Sequence, residues 1–438
     1  MFNVSRNWQQ ITLLVAFFLV PAFADGQECS SSTCCDVDSC FGPSGGGWCE
    51  SPQLTGDWGG LRTHLAESGI TTQFNIANYY FGVVDGGLEQ QGEYSGHGDY
   101  VFNFDGKTLL GMEGLFIKVR AEHRFGTTIG SSTGALLPPT IQSELPVANS
   151  EELYLTDVLF TQFLSPKFGV FFGKLDTFDG DKNAFASGRG TTQFSNLAFV
   201  VNPALLRTIP YSTLGFGFVI LGADDPEEMF QFSVINATDT ARTSGFDELF
   251  EEGVAIAGEY RFPTKFFGKS GHQLFGATWS SRDVAALGQD PRIILPQVPI
   301  NRTDGSWSVY YNFDQYLFMD PCDPKKGWGV FGRAGLADDR NNPVAWFLSL
   351  GVGGDSPISG RKNDTFGAGW YYSGTSDEIG PVLNNLAGGV GDGQGIELFY
   401  NYQVTPSFHL TPDMQIIMPA RQQIDTAILL GLRGVITL

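Results

Sequence analysis

Beyond Ala24 this sequence has no stretch of 18 or more apolar residues, so helices cannot carry it across a bilayer core of ~30 Å. Basic residues are scarce: 26 Lys and Arg face 47 Asp and Glu, a formal net charge of -21. Phosphate backbones are gripped by cationic surfaces, so this balance argues against nucleic acid as a partner. Histidine is scarcer still, with only His64, His97, His123, His272 and His409, scattered along the chain. No His-Glu-x-x-His occurs and no serine stands in a defensible nucleophile setting, which leaves no catalytic residue and no cofactor to name. Cysteine is confined to two places, Cys29, Cys34, Cys35, Cys40 and Cys49 near the start and Cys322 far along.

What is present begins with an export signal. Residues 1–24 hold one basic residue, Arg6, then the apolar run Ile11–Val20 and an Ala22-Phe23-Ala24 end, the pattern of a secretory signal peptide cleaved before Asp25. Residues 25–53 are rich in Cys, Ser, Gly and Asp and cannot build a core. In an oxidising compartment such cysteines read as local disulfides; the alternative, a zinc knuckle, lacks His and has adjacent Cys34 and Cys35. Residues 54–69 read as a short helix from about Gly60 to Ser68, with Leu61 and Leu65 on one face and Gly69 as its stop. So few turns are marginal alone and must dock on something.

From Ile70 onward the pattern is strands. In Gly114–Gly126, Leu115, Ile117, Val119, Ala121 and Phe125 alternate with Lys118, Arg120, Glu122 and Arg124. One row wants an apolar medium and the other wants water or partners. A half-exposed strand of a soluble sheet would satisfy this single segment equally, but the alternation recurs. Val254, Ile256, Tyr260 and Phe262 oppose Glu259 and Arg261; Ile396, Leu398, Tyr400 and Tyr402 oppose Glu397, Asn401 and Gln403. Sixteen such segments are expected between Ile70 and Leu438, among them Tyr100–Leu110, Phe168–Leu175 and His272–Arg282. The fold class is therefore all-β: a transmembrane antiparallel barrel of about 16 strands over residues 70–438, preceded by a periplasmic helix and a Cys-rich tail.

Connection lengths give a second test, because outer-membrane barrels alternate short periplasmic turns with long outer loops. Asp85–Asp99, Gly126–Glu152, Asp176–Pro210, Thr238–Gly253, Asp283–Gly305 and Gly374–Gln394 are the expected long loops. Gly111–Gly114, Ser165–Lys167, Gly222–Met229, Pro263–Gly271, Met319–Gly327 and Thr405–Pro406 are the shorter turns. Ala337–Pro343, Pro419–Asp425 and Gly353–Thr365 depart from strict alternation. This parity puts Cys322 on the periplasmic side with the other five cysteines, where it is either tied to one of them or a solitary thiol.

Several ordered blocks resemble one family, the carbohydrate-selective porins of the OprB type. They are Leu54-Thr-Gly-Asp-Trp-Gly-Gly-Leu-Arg62, Phe172-Gly-Lys-Leu-Asp176, Asn183-Ala-Phe-Ala186, Thr192-Gln-Phe-Ser-Asn196, Asn202-Pro-Ala204 and Leu410-Thr-Pro-Asp-Met-Gln415. The resemblance covers roughly residues 54–438. It implies a sixteen-stranded outer-membrane pore that admits sugars by facilitated diffusion, with loops folded into its lumen. The implied partners are carbohydrate solutes, outer-membrane lipid and the barrel-assembly machinery, with a homotrimer possible as for many porins. The chain departs from the general barrel pattern in ending Arg433-Gly-Val-Ile-Thr-Leu438, without a terminal aromatic residue.

Sugar binding calls for donors, acceptors and aromatic faces. Lys118, Arg120, Glu122, Arg124, Lys174, Asp176, Glu259, Arg261, Tyr310, Asn312, Asp314, Arg333, Glu397, Asn401 and Arg433 are the expected lumen-lining residues. Such ladders can equally exist to neutralise one another inside a wet wall, setting the field a solute meets. Asp176–Pro210, with Lys182, Asn183, Arg189 and Gln193, is the expected constriction loop. Within it Asp179-Gly-Asp181-Lys-Asn183 has a calcium-like alternation of oxygen ligands but lacks the glycine and terminal Glu of a calcium loop, so no metal is assigned. The rival readings are a general diffusion pore, an envelope-anchoring barrel, a barrel lipase or protease, and an acidic secreted β-sandwich.

Overall fold

The structure, a computed structural model, describes residues 51–438 except 224, 226, 295, 296, 322, 324 and 325. The expected signal peptide, nearly all of the Cys-rich segment and all six cysteines, Cys29, Cys34, Cys35, Cys40, Cys49 and Cys322, lie outside the described residues.

Sixteen strands close into one antiparallel barrel. They are β1 (Ile70–Gly87), β2 (Gly92–Asp105), β3 (Leu115–Gly126), β4 (Tyr154–Ser165), β5 (Phe168–Asp176), β6 (Ser212–Leu221), β7 (Met229–Asn236) and β8 (Val254–Phe266). The second half comprises β9 (Lys269–Ser280), β10 (Ser306–Met319), β11 (Gly327–Ala337), β12 (Val344–Asp355), β13 (Thr365–Thr375), β14 (Gly393–Thr405), β15 (Phe408–Met418) and β16 (Asp425–Thr437). Each strand pairs with its sequence neighbours, and β1 seals the barrel on β16 from Asn75↔Thr437 to Val83↔Leu429. Closure leaves no free sheet edge, the condition for a backbone lodged in hydrocarbon.

The pleat sorts the side chains as the alternation requires. Outward lie Tyr80, Phe172, Phe216, Phe275, Trp307, Trp346 and Leu432, all exposed; inward lie Arg120, Glu122, Arg333, Glu397 and Arg433, all buried within the barrel. His123 falls on the outer row, its ring stacked on Tyr100 at 5.8 Å.

Three boundaries differ from expectation. Asp85–Asp99 is not a long loop: β1 and β2 run on as a hairpin with only residues 88–91 between them. The segment Tyr100–Leu110 leaves the sheet at Asp105, whose side chain accepts from Lys107 N at 3.0 Å and so caps a one-turn helix, Gly106–Leu110. Pro263–Gly271 shrinks to a two-residue turn, because Phe267 and Gly268 both take positive φ, 54° and 72°, the conformation that suits a tight hairpin.

The expected helix is present as α1 (Leu61–Glu67). Asp57 accepts from Thr63 N (2.8 Å) and Thr63 Oγ1 (2.9 Å), and Gly69 at φ 90° ends the element. Arg62 donates to Leu438 O at 3.0 Å and lies over the Trp58 ring, while Leu54 N donates to Thr437 O at 2.8 Å. The helix is thereby moored to the end of the last strand.

Candidate functional site

Residues 177–211, between β5 and β6, lie inside the barrel. Their path is punctuated by three asparagines whose side chains accept from backbone N–H groups two residues on, the local bond that favours turns and helix starts. Asn183 caps Phe185 N (2.9 Å), Asn196 caps Ala198 N (3.0 Å) and Asn202 caps Ala204 N (3.1 Å). The loop thus becomes a chain of short turns whose remaining polar groups must find partners on the wall.

On one side it meets an apolar wall. Phe331, Phe347, Tyr371 and Phe399 point inward from β11 to β14 and join Phe185, Phe194, Leu197, Phe199 and Val200 of the loop in one buried cluster. Phe194 lies 4.9 Å from Phe399 and 5.3 Å from Phe331, centroid to centroid. Glycine makes this approach possible: a Cβ at Gly369 would stand 2.5 Å from the Phe199 ring, and one at Gly367 would stand 2.7 Å from Phe194. Each fully buried Phe contributes on the order of 1.5–3 kcal/mol.

Buried polar bonds fix the register of that seat. Arg333 Nε donates to Asp181 Oδ2 at 2.7 Å, and its other nitrogens donate to Phe199 O (2.8 Å) and Ala186 O (2.6 Å). Asp181 also accepts from Asn312 Nδ2 (2.6 Å) and Asn202 N (3.0 Å). Glu397 accepts from the backbone N of Ser195 (2.6 Å) and Asn196 (2.9 Å). Arg433 donates to Gly190 O (3.0 Å) and Gln193 O (2.6 Å), and Asn401 to Thr192 O (3.0 Å).

Across the lumen the loop meets charge. Arg189 donates to Asp179 (2.8 Å) and Glu122 (2.9 Å) and pairs with Asp176 (2.8 Å). Arg120 pairs with Asp176 (2.8 Å), Asp179 (3.1 Å) and Asp99 (3.2 Å). Lys118 bridges Asp157 (2.8 Å) and Asp179. Burial would raise the Asp179 carboxyl, but Arg189, Arg120 and Lys118 outweigh it and hold that group below the usual carboxylate range. Phe178 and Tyr211, 5.8 Å apart and edge to face, border the cluster, with the Arg189 guanidinium 5.5 Å from the Phe178 ring. At the cluster's wet edge Asp179 is 37% exposed and Lys118 24%, and Lys182 is exposed.

The other expected residues fall as follows. Tyr310 donates to Glu259 at 2.5 Å, and Asp314 accepts from Ala184 N (3.2 Å) and contacts His272 (2.7 Å). Glu259 and Arg261 share the inner row of β8 with Ala255. Arg124 points inward but is spent on Ser143 O (2.7 Å) and Gly126 O (2.6 Å). Gln193 holds its own loop through Ser187 N (2.5 Å) and Ala184 O (2.8 Å). Asp179, Asp181 and Asn183, the calcium-like trio, are each engaged by protein groups; Asn183 donates to Asn312 Oδ1 at 2.6 Å.

Lys174 is the correction. It pairs with Val158 and Leu214 on the outer row, beside exposed Phe172 and Phe216, while Gly173 and Leu175 take the inner row. Its ammonium donates to Thr240 O (2.8 Å) and Thr243 O (2.6 Å) of the 237–253 loop, which covers it. Asp176, of the same parity, reaches the lumen because the strand ends there and turns into the Thr177–Asp179 turn.

Sequence reasoning missed Asp99, Asp157, Phe178, Tyr211 and the inward aromatics. Asp157 was obscured by a β-bulge: Arg120 pairs with Asp157 but Ala121 with Leu155, leaving Thr156 as the extra residue.

The closed barrel thus has an apolar outer wall and a long loop folded into its lumen. Residues 89–438 match the family model of the carbohydrate-selective porins, OprB family. The chain belongs to that family. The high-pH structure of Pseudomonas putida OprB superimposes on this porin with a TM-score of 0.78 at 18% identity, covering 89% of this chain and 99% of that one. The low-pH structure of the same protein gives 0.57 at 15% identity with the same coverage. Among curated proteins no relative matches. This porin is accordingly an outer-membrane channel for carbohydrates and not an enzyme.

Proposed function

We propose that sugars cross this barrel passively, down their gradient, past the rim formed by Phe178, Tyr211, Arg189, Asp179, Lys118 and Lys182. The observation that carries the reading is the pairing of an aromatic edge with a ring of fixed donors and acceptors on the face of the loop that is not packed on the wall. A pyranose presents C–H groups on its faces and hydroxyls around its edge, so an aromatic face and charged partners a few ångströms apart suit it. The opposing charges are tied to one another. A neutral solute therefore meets polar groups without a single-sign barrier, and it can leave as readily as it enters.

The long connections between β5 and β6, β7 and β8, and β9 and β10 open on one end of the barrel, and α1 sits with both strand termini at the other. We assign the α1 end to the periplasm, since an exported chain starts there and outer-membrane barrels keep their short turns on that side. Glu122, Arg333, Glu397, Asn401 and Arg433 act as holders of the loop, and Glu259, Arg261, Tyr310, Asn312 and Asp314 as the wall behind it.

In planar bilayers the purified chain gives conductance steps that a permeant sugar reduces. Liposome swelling with a set of mono- and disaccharides then ranks the solutes. Sugar-insensitive steps with swelling that follows solute size alone identify a general diffusion pore instead.

A further inference from the structure

A large cleft of the described structure lies outside the lumen. About 1030 Å³ separates the outer wall of β4, β5 and β6 from the 237–253 loop, at the upper end of the range for small-molecule pockets, about 300–1,000 Å³. On the wall it is bordered by Leu155, Phe160, Phe172 and Phe216, and on the loop by Phe246, Leu249 and Phe250. Phe172 is 53% and Phe216 52% exposed, and Phe246 across from them is 71% exposed. Two apolar surfaces therefore face each other across the cleft. In water they would collapse together, because apolar surface removed from water is stabilising.

We propose that this cleft is a lipid-binding site, occupied by an acyl chain of a membrane lipid whose head-group oxygen meets Lys174. Three observations select that occupant. The cleft is continuous with the hydrocarbon-facing wall, so its floor is the surface the bilayer already wets. Lys174 is 5% exposed at its edge and carries three N–H donors, of which Thr240 O and Thr243 O take two. Among the described residues no carboxylate lies within ion-pair distance of it, although Asp239 and Glu248 of the same loop act on it at longer range, and Arg242, exposed on the same lining, adds a second cation. A phosphate or ester oxygen of a lipid supplies the remaining acceptor, and its tail supplies the apolar filling. The site goes beyond sugar passage, and only the leaflet that provides the lipid rests on the orientation assigned above.

The test uses the whole mature chain in phosphatidylcholine vesicles doped with a phospholipid that carries a photoreactive diazirine at its acyl-chain end. After irradiation, label is expected on the Phe246–Phe250 segment together with Phe172 and Phe216. Ser244→Trp, which fills the cleft from the loop side, lowers that labelling severalfold and leaves label at Leu350, on the far wall, unchanged. Lys174→Met, which keeps the wall apolar, lowers retention of phosphatidylglycerol more than of phosphatidylcholine in native mass spectrometry. Sugar efflux from the same vesicles reports folding and transport separately, so loss of labelling with intact efflux speaks to the cleft alone. The proposal is overturned if the 237–253 loop takes no more label than the 281–305 loop. It is overturned equally if Ser244→Trp changes nothing.

Discussion

The lumen of this porin has two unlike sides, and their difference explains how one loop can be both anchored and exposed. Toward β11–β14 the loop is buried on Phe331, Phe347, Tyr371 and Phe399, with its Asp181 locked to Arg333 of the wall. Toward β2–β5 it presents Asp179 and Arg189 to a charged wall that water reaches. Apolar contact needs shape and excludes solvent, so it fixes position. Charge near water tolerates exchange of partners, so it suits a surface past which solutes slide. A barrel lined by charge alone would have no seat for the loop.

The comparison can be broken most sharply from the anchored side. Arg333→Met leaves Asp181 buried without its ionic partner, a change that costs about 3–5 kcal/mol. It is expected to raise hydrogen exchange across residues 181–202 and to enlarge the single-channel conductance. Gly369→Val drives a side chain into the Phe199 ring, and overpacking of this kind costs ~1–3 kcal/mol; the melting temperature falls and sugar dependence of the conductance weakens. A smaller effect is expected at the charged rim. Asp179 has its carboxyl held below the usual range, so its contribution is complete above the ordinary Asp pKa of about 3.9 and fades as pH falls beneath it. Conductance noise from loop motion should therefore rise on acidification below that point in the native chain, and Asp179→Asn should show the raised noise already at neutral pH. Lys182→Glu, at an exposed position, shifts the reversal potential in a salt gradient toward cation preference and leaves the melting temperature unmoved. Least of all is expected from Lys174→Met: with its side chain on the outer wall, the ion selectivity of the pore stays as it was.

Much of the barrel is legible in the chain because the pleat has a period of two and the two solvents differ completely. Lys118, Arg120, Glu122 and Arg124 could only face inward as a row, and the structure has them so. Lys174 shows where the rule fails: a lone charge on a strand reads as inward, yet a covering loop can shelter it on the outer face. The inward aromatics were hidden by the converse error, since Phe331 or Phe399 on a strand looks like a lipid-facing residue until a second apolar surface inside the barrel claims it. Asp85–Asp99 reads as a loop because Gly86, Gly87 and Gly92 look like loop punctuation, although β1 and β2 carry them within a hairpin.

By itself the sequence determined the closed sheet, its sixteen crossings and the sorting of side chains between hydrocarbon and interior, because those follow from alternation along each strand. Only the tertiary structure decided which inward residues hold the loop, which meet the passing solute and which charge lies outside the barrel. Those assignments depend on contacts between segments more than a hundred positions apart, such as Asp181 with Arg333 and Ser195 with Glu397, and no local pattern along the chain encodes such a meeting.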